Sequence, residues 1–333
     1  MKSNRSKSPT LEDVARVAGL SAMTVSRALN NPSKVKEATV NRVLAAVEST
    51  GYIPNKAAGS LASSKSGLIG VVVPQINNSM FVETVEALRE CLAERGYHVL
   101  LSVSDYSSAS EVDIISSLMS HRPDGIVLTG VHHDNRLKKI LLNSSVPVVE
   151  IWDSTPTPID MLVGLSHDKI GEAIGHEIAH KEPKDVGLIW AEDSRAQKRL
   201  KEIIKVLKQN DISYTVANVP SPAKFKAGRE GLLELLEAEQ HFDIIACSSD
   251  TLAQGCIAEA QQKKLRIPED FALIGFGDLD VAEFSVPSIT TVNIDRVGMG
   301  QKAATMLADR IEGKPLQDSI VNLEFSFKYR ESF

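Results

Sequence analysis

From residue 67 to the end of the chain, short apolar runs alternate with amphipathic stretches, and this alternation constrains the fold more than any other feature. The runs LIGVVV (68–73), HVLLSV (98–103), GIVLT (125–129), PVVEIW (147–152), VGLIWA (186–191), DIIACS (243–248) and FALIGF (271–276) have strand length and aliphatic content. Stretches with helical periodicity lie between them at 81–94, 169–179, 196–209, 227–237 and 252–263. Repeated β-α units predict parallel sheets covered by helices on both faces. There are too many strands for one comfortable sheet, so two lobes are expected. Ligands in such folds bind beyond the carboxyl ends of strands, here in the cleft between lobes.

The first 55 residues read differently. Thr10 and Asp13 form a capping pair ahead of apolar Leu11, Val14, Ala15, Val17 and Ala18. Gly19 breaks that run, and Ser21 can cap a second helix over 22–29, with Val25, Ala28 and Leu29 facing inward. A third periodic stretch, Val40, Val43, Leu44 and Val47, closes at Gly51. Three helices with a tight turn between the first two make the helix-turn-helix plan. Charge separates the two regions as well. Residues 1–65 hold ten Lys and Arg against four Asp and Glu, a net +6, whereas the remainder holds 27 against 39, a net −12. A basic head on an acidic body predicts that only the head meets a polyanion. Between them, NKAAGSLASSKS (55–66) has the composition of a flexible linker, with a short helix that orders on contact as the alternative.

Several function classes are excluded. Hydrophobic residues at 43% and charged residues at 24% are globular values, which rules out wholesale disorder, and 5% aromatics means an aliphatic core. The three cysteines, Cys91, Cys247 and Cys256, lack CxxC or zinc-finger spacing, against a disulfide scaffold or Cys-rich metal site and in keeping with a reducing cytoplasm. The start, MKSNRSKSPT, has no apolar stretch behind it, so no secretory signal is expected, and no apolar run approaches the ~18 residues of a membrane span. His132 and His133 are adjacent and outside any HExxH pattern; no GxSxG, Walker or GxGxxG element occurs. No catalysis, cofactor or metal is expected. The rival from another class is a transporter's solute-binding protein, which the basic head opposes.

TLEDVARVAGLSAMTVSRALNNPSKV (10–35), GYIPN (51–55) and SLAS (60–63) strongly resemble the lactose-repressor family of bacterial regulators. The resemblance continues through IGVVVP (69–74), DGIVLTG (124–130), SSDTLAQG (248–255), IPEDFALIGFGD (267–278) and PSITTVNID (287–295). It implies a DNA-binding headpiece (1–55), a hinge helix or linker (56–66), and a two-lobed periplasmic-binding-protein-like core (67–333). The N-lobe would comprise about 67–164 plus 294–322, and the C-lobe about 165–293 plus 323–333. In the recognition helix Ala22, Met23, Ser26 and Arg27 occupy the base-reading positions, with Thr24 and Asn30 able to reach phosphates. Arg27 can bond guanine bidentately, whereas Ala22 and Met23 offer only apolar contacts, so no operator sequence carries over. Lys36 stands where relatives often have a capping Ser or Thr; it loses the cap, about 1 kcal/mol, but can keep a phosphate contact. Thr10, Tyr52, Asn55, Ala58 and Ala62 complete the DNA-facing set. Leu61 matches the leucine that wedges into the minor groove at the operator centre. Gly59 weakens the free hinge helix by about 1 kcal/mol, so that helix should form only when two hinges pair on DNA.

For the effector, Arg199 in DSRAQKR matches a family arginine that bonds sugar hydroxyls or carboxylates. Asp250 follows a strand end, where it can accept hydroxyl protons or cap the next helix. Gly277 replaces an aspartate common in the family and leaves Asp278 or Asp280 to take its role. Asn77, Asn78 and Phe81 are expected from the first lobe. VVEIWD (148–153) with GFGDLD (275–280) resembles the gluconate-utilisation repressor subgroup, which adds Glu150 or Trp152 and makes a sugar acid the first-choice effector. A nucleobase-responsive regulator or an activator is the alternative within the family. One headpiece reads too few base pairs, so a homodimer on a pseudo-palindromic operator is expected. The end, ESF, carries no leucine-heptad tail of the kind that makes some relatives tetramers.

The hinge reading predicts that Leu61→Ala lowers operator affinity and DNA bending together, because the wedge holds the kink open. Energy transfer across a doubly labelled operator checks it, and an unchanged bend would reduce Leu61 to a linker residue.

Overall fold

The computed structural model describes residues 9–53, 65–76, 79–237 and 241–333. Asn55, Ala58, Leu61, Ala62, Asn77 and Asn78 lie outside the described residues. The chain divides into two compact units, 1–66 and 67–333.

In the first unit, α1 (Leu11–Ala18), α2 (Ala22–Asn30) and α3 (Glu37–Thr50) enclose a core of small aliphatic side chains: Val14, Ala15, Ala18, Val25, Ala28, Val43 and Ala46. The capping pair is present. Thr10 Oγ1 accepts from the Asp13 amide at 3.3 Å, and the Asp13 carboxylate accepts from the Thr10 amide at 2.9 Å. Ser21 caps α2 through the Thr24 amide, and Lys36 precedes α3 with no side-chain cap, as its chemistry requires. Arg42 on α3 donates to the Gly19 carbonyl at 3.0 Å and ties the turn to the third helix. Two expected core positions face solvent instead: Val17 is 57% and Leu44 53% exposed. Their neighbours Val14 and Val43 already fill the narrow apolar stripe.

The second unit holds two six-stranded sheets. The first lobe contributes β1 (Leu68–Val73), α4 (Ser79–Glu94), β2 (His98–Val103), α5 (Ser108–Ser120), β3 (Gly125–Thr129), α6 (Asn135–Leu142), β4 (Val148–Ile151) and β5 (Met161–Gly164). The chain then builds α7 (His167–His180), β6 (Asp185–Ala191), α8 (Ser194–Gln209), β7 (Ser213–Val219), α9 (Phe225–Glu237), β8 (Ile244–Cys247), α10 (Asp250–Gln262), β9 (Ala272–Gly277), α11 (Asp280–Phe284) and β10 (Thr290–Ile294). It returns to the first lobe as α12 (Arg296–Ile311), which packs on α4, and β11 (Ile320–Asn322), and ends in the second as β12 (Phe325–Lys328). Strand orders are β11-β5-β4-β3-β1-β2 and β12-β10-β9-β8-β6-β7. All ladders are parallel except β10–β12, which is antiparallel and departs from the all-parallel expectation. The chain therefore crosses between lobes three times, after β5, β10 and β11.

The apolar runs missed β5, β7, β10, β11 and β12, and two of these have a local reason. β7 (SYTVANV) is an edge strand with a polar outer face, and β11 has only three residues. Helices α9 and α10 touch backbone to backbone at Gly228 and Gly255. A Cβ on Gly255 would lie 2.1 Å from the Phe225 carbonyl oxygen, and one on Gly228 2.1 Å from that of Leu252. Gly255→Ala is therefore expected to destabilise the core by about 1–3 kcal/mol through forced helix separation. Chemical denaturation of the full chain measures this; an unchanged midpoint would mean the helices part freely.

Candidate functional site

The outer face of α2 carries the candidate DNA readers. Met23 is 72% exposed, and Arg27 is exposed, its guanidinium without a hydrogen bond to another described residue. Between them Val25 and Ala28 are buried, so the helix presents one face to its core and 23, 26, 27 and 30 outward. Ser26 and Asn30 are joined: Asn30 Nδ2 donates to the Ser26 carbonyl at 3.0 Å. Ala22 is half-buried and packs against the headpiece core, which limits what it can offer outward. Thr24 Oγ1 lies 2.8 Å from Ser21 Oγ at the helix start. Thr10 and Lys36 are exposed, and Tyr52 packs against the core.

In the second unit, two adjoining cavities lie between the lobes, beyond the carboxyl ends of β1–β4, β6, β8 and β9. The deeper one is lined by Phe81 and Trp152 from the first lobe and by His167, Arg199, Ser248 and Phe276 from the second. Phe81 and Trp152 meet edge to face, with ring centroids 5.4 Å apart. The Arg199 guanidinium lies over the Phe276 ring, 3.7 Å from its centroid, donates to the Ser248 carbonyl at 3.0 Å, and donates to His167 Nδ1 at 2.9 Å. With Nδ1 accepting, His167 carries its proton on Nε2 and donates it to the Trp152 carbonyl at 2.9 Å. Burial and the neighbouring Arg199 charge hold the His167 pKa well below its ordinary value, so the ring is neutral. Burial lowers Arg199 to about 10, which leaves it charged at neutral pH. Two buried donors of residues lining this cavity have no partner among the described residues: Arg199 Nε and Trp152 Nε1. Trp152 also sits at φ 70°, a left-handed conformation that a bulky residue holds only when its surroundings impose it.

The shallower cavity is polar, with Ser104, Thr129, Asp153 and Glu111 in its lining. Behind it, His133 is held between two carboxylates. Nδ1 faces Glu111 at 3.0 Å, and Nε2 lies 3.0 Å from the Gly130 carbonyl and 3.4 Å from Glu150. Burial opposes the charge on this ring, but the hydrogen bonds to Glu111 and Glu150 outweigh it and raise the pKa to about 9.

The cleft does not bring all the expected residues together. Phe81, Trp152 and Arg199 line it. Glu150 is instead a buried support, bonded to His133 and accepting from the Ile159 amide at 2.6 Å. Asp250 is fully buried with both oxygens used, one by Thr291 Oγ1 at 2.6 Å and one by the Leu279 amide at 2.8 Å; burial pushes its pKa up to about 6. The cap of α10 is Ser249, not Asp250. Asp278 spends its oxygens on Arg330 (2.7 Å) and Asn293 (2.8 Å), and Asp280 is exposed at the start of α11, so the loop offers the cleft Leu279 instead of either aspartate. Gly277 has φ 125°, and a Cβ there would lie 3.0 Å from the Met80 side chain of the first lobe, which explains a glycine in place of the family's aspartate.

Sequence reasoning missed Arg195, which lines both cavities. The signal was present: Arg195 and Arg199 stand four apart on an amphipathic helix and share its buried face. His167, Ser248 and Phe276 were missed as well, although each lies at or just beyond a strand end.

Comparison with known proteins places this architecture. Residues 10–55 match the pattern of bacterial regulatory proteins of the lacI family, and residues 161–333 match the periplasmic binding protein-like domain. The chain is 32% identical over 327 residues to the HTH-type transcriptional regulator GntR of Pseudomonas aeruginosa, covering 97% of this chain and 95% of that one. The chain belongs to the lacI family. Another member, the HTH-type transcriptional regulator IdnR of Escherichia coli, is 27% identical over 325 residues, covering 95% and 96%. A crystal structure of a lacI-family transcriptional regulator from Silicibacter pomeroyi superposes with a TM-score of 0.91 at 30% identity, covering 97% and 99%. This lacI-family protein is accordingly a sequence-specific DNA-binding regulator and not an enzyme. Among its described residues no helix is long and apolar enough to cross a membrane.

The His133 cluster generates a pH prediction. A pKa raised from 6.5 to about 9 contributes stability that is complete below about pH 6.5 and lost as pH rises through about 9. The contribution is at most about 3 kcal/mol. Thermal unfolding from pH 6 to 10 should show this decline, and His133→Gln should flatten it; an identical slope in the variant would remove His133 as its source.

Proposed function

We propose that this regulator is a repressor whose operator affinity is set by a small sugar acid bound between the lobes of the core. The observation that carries the reading is the make-up of the cleft. Two buried guanidinium groups, Arg195 and Arg199, stand against the aromatic faces of Phe81 and Phe276, beside a polar cavity with hydroxyl and carboxylate groups. Aromatic faces suit the carbon side of a sugar, hydroxyls and carboxylates suit its hydroxyl groups, and a guanidinium suits a carboxylate. The two unpartnered donors, Trp152 Nε1 and Arg199 Nε, are groups that a polar ligand would satisfy. The resemblance to the gluconate-utilisation repressors points to the same chemistry.

The regulator acts as a homodimer on a pseudo-palindromic operator in this reading. A single three-helix headpiece reads one half-site, so two-fold pairing is needed. Support for pairing comes from apolar side chains left on the core surface, Ile76, Val82 and Leu101 on the first lobe and Phe284 and Val286 on the second, with Phe284 77% and Val286 78% exposed. The effector favours one lobe orientation, which sets the spacing of the paired hinges and releases the operator. Operator and effector affinities are then linked reciprocally, by about 5–150-fold for a typical coupling.

Calorimetric titration of D-gluconate into the full chain, with and without operator duplex, tests both halves. Weaker gluconate binding in the presence of operator is expected, and equal affinity would overturn the coupling. In the same system Arg27→Ala should lose operator preference but keep most of its affinity for random duplex. Equal loss on both would make Arg27 a phosphate contact.

A further inference from the structure

Arg296 opens α12, where the chain has just crossed from the second lobe to the first. A cation in the first turn faces the positive end of the helix dipole, and this residue is only 7% exposed, so neither the helix nor solvent accounts for it. Its neighbour Asp295 is spent as the helix cap, accepting from the Gly298 amide at 2.7 Å. What holds the guanidinium is remote in sequence. Nε and Nη2 donate to the two oxygens of Glu83 on α4, at 3.1 and 2.9 Å. Nη2 also donates to the Asp278 carbonyl at 3.0 Å, and Nη1 to the Gly277 carbonyl. Glu83 belongs to the first lobe and stands two residues beyond Phe81 of the cleft. The two carbonyls belong to the second lobe and immediately precede Leu279, which also lines the cleft. Their turn is itself constrained, with Gly277 at φ 125°, Asp278 at φ 52° and the Leu279 amide held by Asp250.

We infer that Arg296 is a positioning residue that latches the two lobes in one relative orientation, with Glu83 as its partner on the first lobe and the 277–278 turn as its partner on the second. The guanidinium is a rigid planar fork, so one placement of α4 against that turn satisfies all four hydrogen bonds. Rotation of one lobe against the other separates the two sets of acceptors. A buried pair of this kind adds little net stability, yet losing one partner leaves a buried charge uncompensated and is costly. The tie therefore selects an arrangement instead of strengthening the fold. Both its arms end beside cleft residues, Phe81 on one side and Leu279 on the other, so a molecule that moves either wall of the cleft works directly on the latch. The regulatory consequence rests on the reading given above, that lobe orientation sets operator affinity; the latch itself does not.

Orientation can be read directly. Spin labels at Lys139→Cys on α6 and Lys208→Cys on α8, in a full-length Cys91→Ser background diluted with unlabelled chain, report the distance between lobes; Cys247 and Cys256 are buried. One narrow distance distribution is expected without the latch mutations. Glu83→Gln, which removes the charge at a half-buried position with little change of shape, should split or broaden it. Arg296→Lys, which keeps the charge but loses the fork, should do the same. Arg95→Gln is the control, because Arg95 bonds Glu312 at 2.6 and 3.0 Å and Asp309 at 2.8 Å, a tie of the same kind inside the first lobe. It should leave the distribution narrow even where it lowers the thermal midpoint as much. An unchanged distribution in Glu83→Gln and Arg296→Lys, or equal broadening in Arg95→Gln, overturns the latch. If Arg296→Lys fails to fold, Glu83→Gln decides alone. Operator affinity of the two latch variants should shift by about 5- to 50-fold, within the range of allosteric couplings, with affinity for random duplex unchanged. Altered spacing with unaltered operator affinity overturns the reading that orientation sets operator affinity and leaves the latch standing.

Discussion

The guanidinium of Arg199 organises the inner wall of the cleft. Almost fully buried, it is stabilised by an aromatic face, a backbone carbonyl and an imidazole nitrogen, each supplied by a different element of the second lobe. The imidazole passes the constraint on. Because Nδ1 of His167 accepts from Arg199, its other nitrogen must donate, and it does so to the carbonyl of Trp152 in the first lobe. One buried positive charge thereby fixes a tautomer, and that tautomer fixes the backbone of a strained tryptophan across the cleft.

The lobes are otherwise joined by three chain crossings, by apolar contact within one continuous core cluster, and by a few polar ties. Lys198 reaches Asp153, and Arg296 links Glu83 on α4 to the carbonyls of Gly277 and Asp278 in the second lobe. Ties of this kind return little net energy after desolvation. Each lobe is rigid by contrast, because its strands are buried between helices and its helices approach to backbone contact at glycines such as Gly228 and Gly255.

The headpiece follows another economy. Its buried residues are alanines and valines, which allow three short helices to pack closely but leave little surface to bury. Capping therefore matters more here, and Thr10, Asp13 and Ser21 supply it. The outer face of α2 remains free to carry an exposed methionine beside an arginine without a partner among the described residues.

What the sequence by itself determined is what depends on local pattern: three helices at the start, two of them capped, alternating β-α units after residue 67, the limits of seven strands and five core helices to within a few residues, and the family through motifs spread along the whole chain. Even the buried arginine pair was written in the four-residue spacing of 195 and 199, because helix geometry is local. Only the tertiary structure decided which polar residues face the cleft. Asp250, Asp278 and Glu150 all stand at or beside strand ends, where ligand contacts are expected, yet each is consumed inside the protein. Their partners are remote in sequence: Thr291 lies 41 residues from Asp250, and Arg330 lies 52 from Asp278. A carboxylate is open to a ligand only when no nearer donor claims it, and the nearest donor is set by how sheets and helices stack, which periodicity does not encode.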